Sequence, residues 1–278
     1  MPETEHKRRV VEYFSATRIH WDRIYENASS LKNRHYQLSQ RKEAILARVR
    51  TRAQGASLTV LDAGCGAGVL CRCLAEDGHT VIGLDLTPDI VGYACSQSKA
   101  GECYLAAELE QLALKDELCD MVICSGVLSW LPDDQAGLQE MLRVLKQGGC
   151  MLVTFPNRAR IDYLLDPVYP LRGLRAVWSR LRPSARPGPA TGGRQVRVRK
   201  YFLFRLRELF SRHPVRVTGI THLGFGPVTF FGREALPRKV SESMESAYLK
   251  LLRFKPFVFL GFLANHWVVE VEKISSPC

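Results

Sequence analysis

Gly64, Gly66 and Gly68 stand two apart, just after an apolar run that ends in Asp62. Glycine is needed where a backbone takes positive φ or where a ligand must lie against it. The dinucleotide fingerprint GxGxxG seats a pyrophosphate at a helix N-terminus. Here the third glycine comes one residue early and an acid precedes the turn. Both features disfavour a pyrophosphate and suit a smaller nucleoside with no phosphate. Asp85 closes the next apolar run 21 residues after Gly64, a spacing fit for a carboxylate that grips two ribose hydroxyls. The nine cysteines point elsewhere. Eight fall irregularly between Cys65 and Cys150, and Cys71 with Cys73 forms CxC rather than the CxxC of a zinc site. They read as small buried hydrophobes, and no metal is expected.

Positioning these groups needs strands that end together and helices that cover them. Strand-like runs occur at 58–62, 80–85, 102–106, 119–124 and 150–155, and helical patterns fit between them at 68–77, 88–99 and 134–146. Gly148-Gly149 reads as the stop signal of the last helix. This alternation predicts an α/β fold with a mostly parallel sheet covered on both faces. Residues 7–52 hold no proline or glycine and read as helical. After Pro156 come a Pro/Gly-rich loop at 182–194, a helix at 201–211, strands at 215–222 and 266–273, and an apolar segment, KPFVFLGFL, expected in the core in preference to an interfacial patch beside the basic region.

Charge divides the chain. Residues 60–150 carry fourteen acids against five lysines and arginines, whereas 172–212 hold twelve lysines and arginines and one acid, Glu208. An acidic catalytic core with basic surroundings follows, the basic part facing nucleic acid, anionic lipid or an acidic substrate. No apolar run reaches the roughly 20 residues needed to span a bilayer. The first residues, MPETEHKRRVVEYF, lack the apolar stretch of a secretory signal, so a cytoplasmic protein is expected, peripheral to a membrane if at all.

The successive segments VLDAGCGAGVL, VIGLDLTPDIV, AAELEQLAL, CDMVICSGVLSWLPDD and LKQGGCMLVTFPNR resemble the motifs of class I S-adenosylmethionine-dependent methyltransferases. The resemblance covers residues 58–157. It implies a Rossmann-like sheet of seven strands, the last antiparallel, and S-adenosyl-L-methionine as cofactor. It implies that Asp62 and Gly64 lie near the amino-acid part of the cofactor, that Gly66, Gly68 and Leu86 also bind the cofactor, and that Asp85 holds the ribose. Glu108, where the family usually has Asp, would face the adenine with Leu109. Ser125 would stand beside the methionyl end, and Arg41 matches an arginine that some relatives aim at the cofactor carboxylate. Residues 1–52 would form a helical lid on a methyltransferase domain of 53–278, with an acceptor-side insertion at 157–200.

The stretch HKRRVVEYFSATRIHWDRIYENAS resembles the N-terminus of small-molecule O-methyltransferases, with magnesium-protoporphyrin methyltransferases starting similarly, and TFPNRARIDYLL has the look of ubiquinone-pathway O-methyltransferases. CSGVL stands where amino-methylating nucleic-acid enzymes carry Asn/Asp-Pro-Pro-aromatic. The leading expectation is O-methylation of a small, lipophilic molecule by in-line transfer, with membrane contact through 172–212. An RNA methyltransferase and a non-catalytic scaffold are the alternatives. An oxygen nucleophile calls for a base near neutral pKa. Many relatives have His where Trp130 stands, so a base is lost there; Trp130 is expected to pack over the acceptor in preference to merely capping the sheet, and His20 and His222 are the candidate bases.

Overall fold

The computed structural model describes residues 3–26, 33–99, 101–160, 166–168, 171, 198–224, 229–231 and 233–275. The apolar runs become strands β1 (Thr59–Ala63), β2 (Thr80–Asp85), β3 (Glu102–Ala106), β4 (Cys119–Cys124) and β5 (Leu145–Pro156). Between them lie helices α3 (Val69–Glu76), α4 (Pro88–Ser96) and α5 (Asp134–Val144), preceded by α1 (Glu3–Glu26) and α2 (Asn33–Ala53). Helix α6 (Leu203–Phe210), strand β6 (Val215–Leu223), a short hairpin of β7 (Thr229–Phe230) and β8 (Arg233–Glu234), helix α7 (Arg238–Leu251) and strand β9 (His266–Lys273) complete the described chain. Most of the basic stretch 172–212 and of the expected insertion 157–200 lies outside the described residues.

Seven strands form one sheet in the order β3-β2-β1-β4-β5-β9-β6. The first five are parallel, and β9 runs antiparallel between β5 and β6. Chain direction across the sheet reverses between β1 and β4, which opens a crevice at the carboxyl ends of those strands. Side chains alternate about the sheet plane. Met121 and Ile123 of β4 join a core with Ile45, Val49, Leu74 and Ala94, whereas Val122 and Cys124 join Leu138, Met141, Leu206 and Trp267 on the other face. Both faces are therefore buried, as a parallel sheet requires. Cys65, Cys71, Cys119, Cys124 and Cys150 are buried, but Cys95 and Cys103 are exposed, contrary to a uniform reading of the cysteines as core.

Two expectations need correction. Gly148-Gly149 does not stop α5. The helix ends at Val144, and Leu145 is already extended at ψ 132. Leu145 is fully buried and pairs with Cys119, while Met121 pairs with Cys150, so residues 146–149 bulge out of β5 with Gly148 at φ +70. The glycine pair serves that bulge. The segment KPFVFLGFL is not core. It forms a 3-10 turn, Lys255–Leu263, in which Gly261 alone is fully buried. Leu260 packs against the core, but the other large side chains of the segment are mostly exposed. Phe254 and Phe259 are 63% and 64% exposed, and Phe257, Val258 and Phe262 are exposed beside them. No described helix is long and apolar enough to cross a membrane.

Candidate functional site

The turn after β1 folds back on β2: the N–H groups of Gly64 and Cys65 both donate to the Leu84 carbonyl, at 2.6 and 2.8 Å. Gly64 has φ +87, and a Cβ there would overlap Val127 in the loop after β4. Two loops meet closely at that point, which only glycine permits. Gly66 has φ +52 and nothing within 4 Å of where its Cβ would stand. Its N–H donates to Asp85 Oδ2 at 3.0 Å, while Thr87 N–H donates to Asp85 Oδ1 at 2.9 Å. Burial raises the Asp85 pKa, and these two backbone bonds oppose that rise. The Thr87 hydroxyl and the Leu86 N–H also bond to this carboxylate, so the hydroxyls of a ligand would compete with the local donors for its oxygens.

Asp62, the penultimate residue of β1, is buried. The Cys71 thiol donates to its Oδ2 at 3.4 Å, and its Oδ1 has no hydrogen-bond partner among the described residues. Burial pushes its pKa up to about 7, with the nearby Asp85 adding to the rise and Arg41 opposing it. An orphaned carboxylate oxygen costs about 1–3 kcal/mol or more. A ligand ammonium would relieve that cost. Arg41, from α2, lies beside Gly126: its Nη1 is 2.9 Å from where a Gly126 Cβ would stand. Its charge reaches Asp62, Cys124 and His266. Gly126 N–H donates to Thr154 Oγ1 at 2.7 Å, which fixes this loop, and Ser125 precedes it, partly exposed. Asp62, the glycine turn, Asp85, Arg41 and the Ser125 loop thus gather at the carboxyl ends of β1, β2 and β4. Leu86 follows Asp85, partly exposed.

Farther along this rim the first helix closes down. Lys7 Nζ donates to Glu108 Oε2 at 2.6 Å and lies 3.6 Å from Glu110. Glu108 is 48% exposed on its side chain, whereas Leu109 is buried in the core beneath. Trp130 stacks on Tyr13 at 5.7 Å and meets Phe14 edge-on at 5.2 Å, and its carbonyl lies 2.7 Å from His6 Nε2. Trp130 therefore packs on α1. No sequence signal near Lys7 names Glu108 as its partner, although opposite net charges of the flank and the core agree with the pairing.

The two candidate bases differ in what the structure gives. His20 belongs to α1, and its side chain lies outside the described residues. His222 lies near the end of β6 with its ring against Gly261, and burial lowers its pKa. Two groups escaped sequence reading. His266 opens β9 opposite Pro156 and Leu223, and burial with the charges of Arg41 and Arg160 drives its pKa down to about 3. Glu245 of α7 is 4% exposed, and burial pushes its pKa up to about 7. A base works best near the operating pH, so Glu245 suits proton uptake at neutral pH better than His266 does. Its signal in the sequence was only an acid four residues after Ser241 and three before Tyr248, one face of α7.

Residues 61–153 match the family model described as a methyltransferase domain. Malonyl-acyl-carrier-protein O-methyltransferase of Serratia marcescens is 40% identical over 118 residues, covering 42% of this chain and 46% of that protein. Ubiquinone biosynthesis O-methyltransferase of Methylococcus capsulatus is 33% identical over 135 residues, covering 45% and 57%. The chain spans about half the length of the curated relatives it matches. Magnesium protoporphyrin IX methyltransferase from Synechocystis PCC 6803, with bound SAH, superposes with a TM-score of 0.63 at 17% identity, over 96% of this chain and 99% of that one. The same enzyme with bound SAM gives 0.60. At such identities the likeness is one of fold.

Proposed function

We propose that the chain, whose residues 61–153 match a methyltransferase-domain model, is a class I methyltransferase that binds S-adenosyl-L-methionine and O-methylates a small, lipophilic acceptor. The observation that carries this reading is the pairing of a buried acid, Asp62, and a part-buried one, Asp85, with a glycine turn. Asp62 Oδ1 lacks a partner among the described residues, and Asp85 is fixed to the Gly66 and Thr87 N–H groups at the mouth of the turn. The cofactor supplies an activated methyl group. Asp62 meets its ammonium, Arg41 its carboxylate, Asp85 its ribose hydroxyls, and Glu108 with Leu109 its base, while Ser125 borders the methionyl end. Gly64, Gly66 and Gly68 let the backbone come close. Rate then comes mainly from alignment of the acceptor oxygen.

Helix α1 acts as a lid over this rim, held by Lys7 on Glu108 and by Tyr13 and Phe14 on Trp130. The protein also touches membranes peripherally. The exposed phenylalanines of 254–262 support this reading, flanked by Lys250, Arg253 and Lys255 with no acid between Glu245 and Glu270. Aromatic side chains among cations suit an anionic interface, and the basic stretch 172–212 would add to it. Calorimetry with S-adenosylmethionine and labelled-methyl transfer to lipid, quinone-precursor and porphyrin fractions test the proposal. Folded protein that gives no heat of binding and no labelled product refutes it.

A further inference from the structure

Four buried polar atoms gather where α2, α7 and the end of β6 meet. Gln37 Nε2, Gln40 Oε1, Ser241 Oγ and Glu245 Oε1 are all withdrawn from solvent, and none has a hydrogen-bond partner among the described residues. They belong to one place. The Gln40 side chain and the Gly224 backbone both bond to the Glu245 carboxyl. Gln37 Cγ lies 3.7 Å from where a Gly224 Cβ would stand. Ser241 is one helical turn before Glu245 on α7. Gln40 immediately precedes Arg41, whose guanidinium borders the loop after β4. On α2, Gln37, Gln40 and Arg41 share one face, so this cluster continues directly from the cofactor rim proposed above.

Buried polar atoms are nearly always satisfied. Four unsatisfied ones in one place, from two helices far apart in the chain, describe a site built for a polar group. Their chemistry narrows the group. Gln40 Oε1 and Glu245 Oε1 accept, Gln37 Nε2 donates, and Ser241 Oγ does either. A hydroxyl brings one donor and two lone pairs, which this set can satisfy. A carboxylate only accepts, carries charge, and would face the Glu245 carboxyl with no described cation in the cluster to offset it.

The geometry points to Gln37, Gln40, Ser241 and Glu245 as the acceptor subsite, one that holds a hydroxyl group and so selects a phenol, enol or alcohol over a carboxylate. Glu245 takes the hydrogen bond of the hydroxyl, Gln37 donates to its oxygen, and Gln40 with Ser241 complete the ring of partners. This rests on the methyltransferase reading, because it is that reaction which makes the group an acceptor.

The test uses catechol and benzoate as matched probes, with S-adenosylhomocysteine present so that nothing turns over. Binding is read by saturation-transfer NMR and calorimetry on the whole chain. Above about pH 8, where a Glu245 carboxyl with its pKa raised to about 7 is ionised, catechol should bind at least about tenfold more tightly than benzoate, since a buried like charge disfavours the latter. In Glu245→Gln that preference should collapse towards parity, with S-adenosylhomocysteine affinity unchanged. Ser241→Ala, a milder change, should weaken catechol several-fold in a protein of native melting temperature. Equal binding of the two probes by the parent, or an undiminished preference in folded Glu245→Gln, overturns the subsite. Failure to bind S-adenosylhomocysteine while the catechol preference persists overturns the methyltransferase reading instead and leaves the hydroxyl site standing.

Discussion

Replacing Asp85 by Asn separates the two tasks of that carboxylate. Its oxygens accept from Gly66 N–H at 3.0 Å and Thr87 N–H at 2.9 Å. An amide keeps one accepting oxygen, but its NH2 group must then face one of those two N–H donors. The turn at Gly66 or the start of α4 at Thr87 therefore loses a bond, about 1 kcal/mol of stability. The larger effect falls on the ligand. Hydrogen bonds to a charged group contribute about 1.5–3 kcal/mol each, and both ribose hydroxyls lose a charged acceptor. Allowing for the residual amide oxygen, about 2–4 kcal/mol of affinity should disappear, a weakening of roughly 30- to 1,000-fold. Titration calorimetry with S-adenosylhomocysteine measures this directly, and circular dichroism melting controls for the fold. Glu108→Gln serves as internal comparison. Its side chain is half exposed, so it should cost no more than about 1 kcal/mol. An Asp85→Asn protein with a native melt and affinity within threefold of the parent would refute the placement of the ribose.

The other predictions concern different parts of the rim. Asp62→Asn should stabilise the ligand-free protein at pH 8 while weakening cofactor binding. The native pKa of Asp62 is raised from 3.8 to about 7, so the folded state holds a proton that the unfolded chain releases. Its contribution to stability is complete below pH 3.8 and is lost as pH rises to about 7, about 4 kcal/mol in all. Melting curves of both proteins should converge below pH 4, and a gap that does not depend on pH contradicts the assignment. Hydrogen exchange in the described part of α1 should slow when cofactor binds, and Lys7→Glu, which sets a like charge against Glu108 and Glu110, should abolish the slowing. Equal exchange with and without cofactor removes the lid. Phe257→Glu with Phe259→Glu should cut co-sedimentation with phosphatidylserine vesicles severalfold and leave cofactor affinity unchanged, and undiminished sedimentation rules this surface out as the contact.

The strands were legible because a parallel sheet buried on both faces writes itself as short unbroken apolar runs. The bounds expected for β2, β3, β4 and β9 agree with the structure to the residue. The glycine turn and Asp85 were legible because both sit on one βα unit, where spacing in sequence fixes position in space. Gly148 misled because a bulge and a helix stop ask the same thing of a glycine, positive φ. The stretch 255–263 misled because hydrophobicity says what prefers burial, while only tertiary packing says which segment finds a surface to cover it. Lys7 on Glu108, His266 beside Arg41 and Glu245 against Gln40 were illegible for a third reason. Each joins segments far apart in the chain, and nothing local marks either partner for the other.

The insertion of β9 between β5 and β6 orders the assembly of the molecule. Strand β6 does not touch β5; it reaches the sheet only by pairing with β9. On a ribosome, β1 to β5 with their helices emerge first and can close around the crevice at β1 and β4 long before His266–Lys273 exists. The other half of the rim waits. His266 and the bonds that tie Asn265 to Asn157 and Gly224 come into register only when the last strand threads into a place already bordered by an earlier one. Pairings this distant in sequence are slow to form. A nascent chain would thus hold the half-sheet that carries the proposed cofactor site well before it holds the proposed acceptor side, and a ligand bound there would stabilise that half while the rest is still being made.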